Sequence, residues 1–340
     1  MPVCRDDLYV AIKVCVAEKD HGGETRELQT LNKLASYYRH LEHVVKLLDN
    51  FDLKGPNGIH TCLVYELLGP NIPDTINAYF PGGRLPGKLA KSIAKQSLIG
   101  LDSLHRYAIA HGDLHTRNLT FTVPSMDYMT KEEKFIEMLG KPEIGLVRRS
   151  DGKDLETGIP EYIVRSSSFR THMWNWAQSI KIIDFGESFL YTTVPQTLHT
   201  PLPVRAPEVI FQDHIDYRVD LWSMGCMLFE LFVGQPPFDT FLITPTILVA
   251  QMQEMASDEL PERWHEKWET MKSSDDEPTE STAPDLQEWL EELYFNSAQI
   301  PDLTRQDIVR LGRIIGKLLR LEPSARASAK QVLDDPWFDE

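Results

Sequence analysis

Cysteine is scarce: Cys4, Cys15, Cys62 and Cys226 are the four in 340 residues, and no two make a C-x-x-C pair. Three sit inside apolar runs, the pattern of buried thiols in a reducing compartment. A disulfide scaffold and a cysteine-held metal are thereby excluded. Long apolar runs are missing as well. The longest, Met224 to Val233, is broken by Glu230 and is too short for a bilayer span. The first residues, MPVCRDD, place acids where a secretory leader needs bases. Basic excess is absent: 51 acidic against 35 basic residues give a net charge of −16. Such a chain suits neither a nucleic-acid coat nor an anionic membrane surface. The expectation is a soluble protein of the cytoplasm or nucleus, monomeric, with basic partners still allowed. No internal repeat or long low-complexity tract occurs.

What is present is an ordinary globular composition, 42% apolar and 25% charged. The length suits two domains or one bilobal one. The acid is concentrated. Between Asp258 and Asp302 stand 14 acids against Arg263, Lys267 and Lys272, so this stretch carries −11. It reads as a solvated, partly mobile insertion. The sharper alternative is a docking surface for an Arg-rich substrate.

Hydrophobic periodicity divides the chain at about residue 68. Residues 8–16, β-branched and interrupted by Lys13, read as a buried strand. Residues 24–35 carry leucines at helical spacing. Strands follow at 44–53 and 59–67, with the turn Gly55-Pro56-Asn57-Gly58 between them. Beyond residue 69 the pattern turns helical, with long amphipathic helices expected at 86–107, 215–233 and 305–320. Residues 122–178 fit neither part and read as an insertion. Within it 129–140 predicts a short helix, with a Thr130/Glu133 capping box and Gly140 at its exit. Residues 152–165 read as turn plus strand.

Three motifs carry chemistry. In His111-Gly112-Asp113-Leu114-His115-Thr116-Arg117-Asn118 a carboxylate and an amide stand five residues apart on one tight loop. Asp113 can orient or deprotonate an acceptor hydroxyl, and Asn118 can hold Mg²⁺. A plain turn with an N-cap Asp is the alternative. Ile182-Ile183-Asp184-Phe185-Gly186 delivers a second carboxylate from an apolar strand onto a turn. A hard oxygen donor there suits Mg²⁺ with phosphates in its shell. In Val10-Ala11-Ile12-Lys13 a lysine inside an apolar strand needs a partner. Glu27 on the next helix is the candidate, with Glu24 close by. In a nucleotide site Lys13 would touch the α- and β-phosphates.

Ala206-Pro207-Glu208, then Asp220-Leu221-Trp222-Ser223-Met224-Gly225, then Arg326 follow in that order. With the three motifs above, the series resembles a eukaryotic protein kinase over nearly all the chain. The insertion between the Asp113 loop and Asp184, the FPGGRLP segment, LVYELLGPNI and DDPWF are similar to the SR-protein kinases, especially fungal ones. The resemblance implies an α+β bilobal fold. Residues 1–68 would form a partial small lobe and 69–340 a mainly helical large lobe, with insertions at about 122–178 and 258–302. It implies an ATP- and Mg²⁺-dependent serine/threonine kinase acting on Arg-Ser-rich splicing factors. Lys13 and Glu27 would pair. Glu66 to Leu68 would be the hinge that bonds adenine, with Tyr65 as gatekeeper. Asp113 would be the base, and Asn118 and Asp184 the metal ligands. Glu208 would pair with Arg326, and Asp220 and His111 would brace the catalytic loop.

Three features depart from that family's pattern. No G-x-G-x-x-G occurs, and only 12 residues precede Lys13. The expectation is a chain beginning within the small lobe, whose nucleotide lacks its glycine-rich ceiling. Gly112 stands where an Arg that grips an activation-loop phosphate is usual, which implies activity independent of loop phosphorylation. His115 replaces a lysine, and would neutralise γ-phosphate charge only when protonated. Two other readings compete. The missing lid suits a catalytically impaired kinase-fold binding protein, against which Lys13, Asp113, Asn118 and Asp184 are all retained. His-Gly-Asp-Leu-His also suits a small-molecule kinase, against which Ala206-Pro207-Glu208 and Arg326 belong to a peptide-docking lobe.

Overall fold

The computed structural model describes residues 9–17, 25–37, 41–123, 142–165, 179–238, 243–272, 285–297 and 299–340. Glu24, the helix expected at 129–140 with its Thr130/Glu133 box, and the acidic run Asp275, Asp276, Glu277 and Glu280 lie outside them.

The first part is a three-stranded antiparallel sheet and one helix. Strand β1 (Val10–Val14) is followed by helix α1 (Arg26–Ala35), then β2 (Leu47–Gly55) and β3 (Gly58–Glu66). The sheet order is β1-β3-β2. Gly55 pairs with Gly58 across Pro56-Asn57, so the expected turn closes the β2–β3 hairpin. Thr25 caps α1 by accepting from Leu28 N at 3.3 Å. The strand expected from residue 44 starts at Leu47. Residues 43–45 are diverted to the second part, where Val45 N donates to Ile182 O at 3.0 Å.

The second part begins with β4 (Leu68–Asn71), α2 (Ile72–Tyr79) and α3 (Gly87–Arg106). Short strands β5 (Ile109–Ala110) and β6 (Leu119–Thr122) follow. Next come β7 (Ile144–Leu146) and β8 (Tyr162–Val164), an exposed antiparallel pair within the insertion. Strands β9 (Ile180–Ile182) and β10 (Phe189–Leu190) complete the strands. Sheet β4-β6-β9 and the pair β5–β10 hold the functional loops between them. Seven helices follow: α4 (Pro207–Ile210), α5 (Val219–Val233), α6 (Pro245–Met255), α7 (Glu262–Met271), α8 (Leu286–Phe295), α9 (Arg305–Leu318) and α10 (Ala329–Leu333). The molecule is thus an α+β bilobal fold. Among the described residues no helix is long and apolar enough to cross a membrane.

Helix α5 is buried on nearly every side, from Val219 to Phe232, and forms the axis of the large lobe. Gly225 lets α9 approach: a Cβ there would stand 2.7 Å from the Leu319 side chain. The helix expected from 215 starts only at Val219, because Arg218 N bonds the Asp216 side chain at 2.8 Å instead.

The acidic stretch 258–302 is not simply a solvated insertion. Its described residues fold as α7 and α8, with Trp264, Trp268, Leu290 and Tyr294 buried in the core. Several of its carboxylates have structural uses. Asp258 accepts from Leu321 N and Glu322 N at 2.9 and 3.0 Å. Asp285 caps α8. Asp302 accepts from Gly87 N at 2.7 Å and Lys88 N at 3.0 Å. Helix α3 has Pro86 at its start and no cap of its own, so Asp302 supplies one from a distant segment. Burial pushes the Asp302 carboxyl up, but the Lys88 and Gly87 amides and the Tyr294 hydroxyl outweigh it and hold it below the usual carboxylate range. Asp302→Ala should cost about 0.5–1 kcal/mol, the low end for a lost cap because the carboxylate is exposed. The wild-type advantage should be complete above the ordinary Asp value near pH ~3.9 and fade as pH falls through the lower folded value. Urea unfolding of both proteins at pH 7 and pH 3 checks it; an equal difference at both would exclude the cap.

Candidate active site

Lys13 lies on β1 and Glu27 in the first turn of α1. The Lys13 Nζ is 2.8 and 3.0 Å from the two Glu27 oxygens. It also donates to Asp184 Oδ1 at 2.9 Å. One ammonium therefore joins the small-lobe helix to the turn after β9. Burial lowers the Lys13 pKa, but the bonds to Glu27 and Asp184 outweigh it and leave the ammonium above its ordinary value. For Asp184, burial acts upward and is outweighed by Lys13 and the Gly186 N–H, so the carboxylate is held below its usual range. Asp184 has φ +62, a conformation unusual outside glycine. Phe185 beside it is fully buried and meets the His111 ring edge-on at 5.1 Å.

The Asp113 loop is braced from below. Asp220, on α5, accepts from His111 N and Gly112 N, both at 2.8 Å, and bonds His105 Nε2 at 2.9 Å. His111 Nε2 donates to Ile183 O at 2.9 Å, while its Nδ1 accepts from Asp113 N at 3.3 Å. That assigns the neutral Nε2–H tautomer. The ring ties the Asp113 loop to the strand leading to Asp184. Gly112 has φ +76, and a Cβ there would stand 2.5 Å from Glu187 O. Any arginine at this position would collide with the chain after Asp184, so the departure from the usual Arg is built into the backbone path.

Asn118 donates to Asp113 O at 2.8 Å and to Asp113 Oδ2 at 3.2 Å. Its Nδ2 is thus spent on the loop, and its Oδ1 remains for a cation. Asp113 Oδ1 is buried, and no donor among the described residues reaches it. His115 Nε2 lies 3.5 Å from Asp113 Oδ2.

Glu208 and Arg326 form a bidentate pair at 2.6 and 2.7 Å, with side chains 1% and 0% exposed. They lie in the large-lobe core, away from the reacting groups. Leu68 opens β4 and faces Thr122 across the sheet.

Several contacts escaped sequence reasoning. Tyr65 donates to Glu27 Oε1 at 3.1 Å, so its hydroxyl also fixes the ion pair. The Glu66 carboxylate accepts from Lys181 Nζ at 2.6 Å and Lys46 N at 2.8 Å, and its own N–H is taken by Lys46 O at 3.2 Å. That N–H is therefore not free for a ligand. Lys181 sits inside the apolar run IKII, the same signal that singled out Lys13. Half-buried Glu230, near the end of α5, accepts from Thr116 Oγ1 at 2.7 Å, and desolvation raises its pKa.

The protein kinase domain family matches residues 172–338. The chain carries a protein kinase domain. It is similar to the serine/threonine-protein kinase SRPK of Physarum polycephalum, 27% identical over 330 residues, covering 87% of this chain and 71% of that protein. The serine/threonine-protein kinase AFC3 of Arabidopsis thaliana is 27% identical over 349 residues, 97% of this chain and 75% of AFC3. The Drosophila melanogaster kinase Doa is 26% identical over 351 residues, and the chain spans 36% of its length. These relatives are all serine/threonine-protein kinases by name.

Proposed function

We propose that the chain transfers the γ-phosphoryl group of ATP, with Mg²⁺, to serine or threonine hydroxyls of Arg-Ser-rich splicing factors in the cytoplasm or nucleus. The observation that carries the reading is the convergence of Lys13, Glu27, Asp184, Asp113 and Asn118, drawn from β1, α1 and two large-lobe loops.

The residues fit ATP and Mg²⁺. Among the described residues no cluster of three or more His, Cys, Asp or Glu could enclose a metal. Mg²⁺ needs no such cage, because it keeps waters and phosphates and takes one or two protein oxygens. Asp184 and Asn118 Oδ1 supply that number. Bound there, Mg²⁺ would offset charge on the phosphates. Lys13, held by Glu27, would contact the α- and β-phosphates. The unpartnered Asp113 Oδ1 would accept the proton of the attacking hydroxyl. His115, when protonated, would face the γ-phosphate.

The substrate class rests on charge and on likeness. The chain carries −16, and SRPK of Physarum is among its relatives. An Arg-Ser repeat peptide should therefore be phosphorylated with higher kcat/KM than the same peptide with alanine for arginine. The advantage should shrink as salt rises and screens exposed charge. Equal kcat/KM for the two peptides at low salt would reject the Arg-rich substrate and leave the transfer chemistry standing.

A further inference from the structure

Glu187 follows the Asp184–Gly186 turn directly, and the transfer chemistry above gives it no part. Its side chain is 22% exposed and touches two separate elements. Oε1 accepts from His199 Nδ1 at 3.0 Å, and Oε2 accepts from His199 N at 3.4 Å. Arg26 Nη2, in the first turn of α1, lies 3.9 Å from Oε2. A cation at a helix N-terminus opposes the macrodipole, so Arg26 gains from a carboxylate at that point.

The neighbours of these groups run to the catalytic loop. Thr200 Oγ1 donates to Gly112 O at 2.8 Å, and Arg205 Nε donates to Thr200 O at 2.8 Å. Leu198 is buried, 3.2 Å from where a Gly112 Cβ would stand. The Glu187 carbonyl occupies the space that Gly112 leaves open. One carboxylate thus stands where α1, the Asp184 turn, residues 198–205 and the Asp113 loop meet.

We propose that Glu187 is a positioning residue: through His199 and Arg26 it holds residues 198–205 against the Asp113 loop, using a carboxylate of the chain itself. The activity part of this proposal rests on the kinase reading; the structural part does not.

The test uses the full chain with Glu187→Ala, His199→Ala and the double variant. Amide hydrogen exchange is followed in residues 198–205, and turnover on an Arg-Ser peptide is measured at saturating ATP. Each single variant should speed exchange in that window by about 1.5- to 5-fold, the range for a partly exposed ion pair. The kcat should fall by a similar factor. Because the two residues act through one contact, the double variant should be no worse than the worse single. The His199 ring is 76% exposed, so its removal does not threaten folding and keeps the test open should Glu187→Ala unfold. Unchanged exchange in His199→Ala, or fully additive effects in the double, would overturn the proposal. A wild type that transfers no phosphate would remove the kinase reading, while the exchange data still decide the role of Glu187.

Discussion

Asp113→Ala should slow phosphoryl transfer by about 10²- to 10⁴-fold and leave thermal stability close to wild type. The loss is that of a positioned general base. The stability expectation comes from the geometry. Asp113 Oδ1 is buried with no donor among the described residues, a group that costs about 1–3 kcal/mol to desolvate. Oδ2 holds one bond at 3.2 Å from Asn118, whose amide keeps its stronger 2.8 Å bond to the Asp113 carbonyl. Alanine removes the unsatisfied atom and the weaker bond together, and the two effects offset. A structural residue behaves in the opposite way: its loss lowers stability, and activity follows. Turnover at saturating ATP and a thermal melt on the same sample separate the cases. Near-native turnover, or a collapse of stability that accounts for the lost turnover, would refute the role of Asp113.

Glu208→Ala and Arg326→Ala should each destabilise the protein by about 3–5 kcal/mol, the cost of leaving one member of a buried ion pair without its partner. Both side chains are out of water, at 1% and 0% exposure. Glu208 receives two bonds from Arg326, at 2.6 and 2.7 Å. The guanidinium also donates to Arg218 O and Arg320 O, both at 2.9 Å, and lies over the Trp222 ring at 5.3 Å. It therefore cannot swing to solvent when Glu208 is removed. The pair is not a source of net stability in itself, so Glu208→Leu combined with Arg326→Met should recover most of the loss. Urea unfolding reads this as a lower midpoint at unchanged slope for the singles and partial recovery in the double. A loss below about 1 kcal/mol in either single would show that the buried charge finds another partner.

The parts of the site legible in the sequence are those where a charge interrupts an apolar run or a loop sits at fixed spacing. Lys13 was readable because its strand is otherwise apolar, and Asp113 and Asn118 because five residues separate them on a tight loop. Glu27 was separable from Glu24 only as a candidate; the register of α1 decides that it is Glu27 that reaches Lys13. The Lys181–Glu66 bond joins positions 115 residues apart, and nothing local in Glu66 points to Lys181. Asp302 is similar: it sits in an acidic stretch, and composition alone made the whole stretch look solvated. Its capping role depends on where α3 begins in space. The helical core was legible from periodicity, yet strand and helix ends moved by several residues where a side chain, such as Asp216, took a backbone donor. Gly112 showed in the sequence only as a departure; the space that requires it is set by the Glu187 carbonyl.

The central claim is that side chains from both lobes form one metal-dependent phosphoryl-transfer site. Its most direct test follows transfer of labelled γ-phosphate from ATP to an Arg-Ser peptide by the wild-type chain with Mg²⁺, with Mg²⁺ chelated, and by Asp184→Ala with Mg²⁺. The account predicts transfer in the first case alone, because Asp184, the carboxylate held by Lys13 at 2.9 Å, would also be the donor to the metal. Transfer by Asp184→Ala at near the wild-type rate, or no transfer by the wild type to this peptide or to any other serine- or threonine-containing protein, would contradict it.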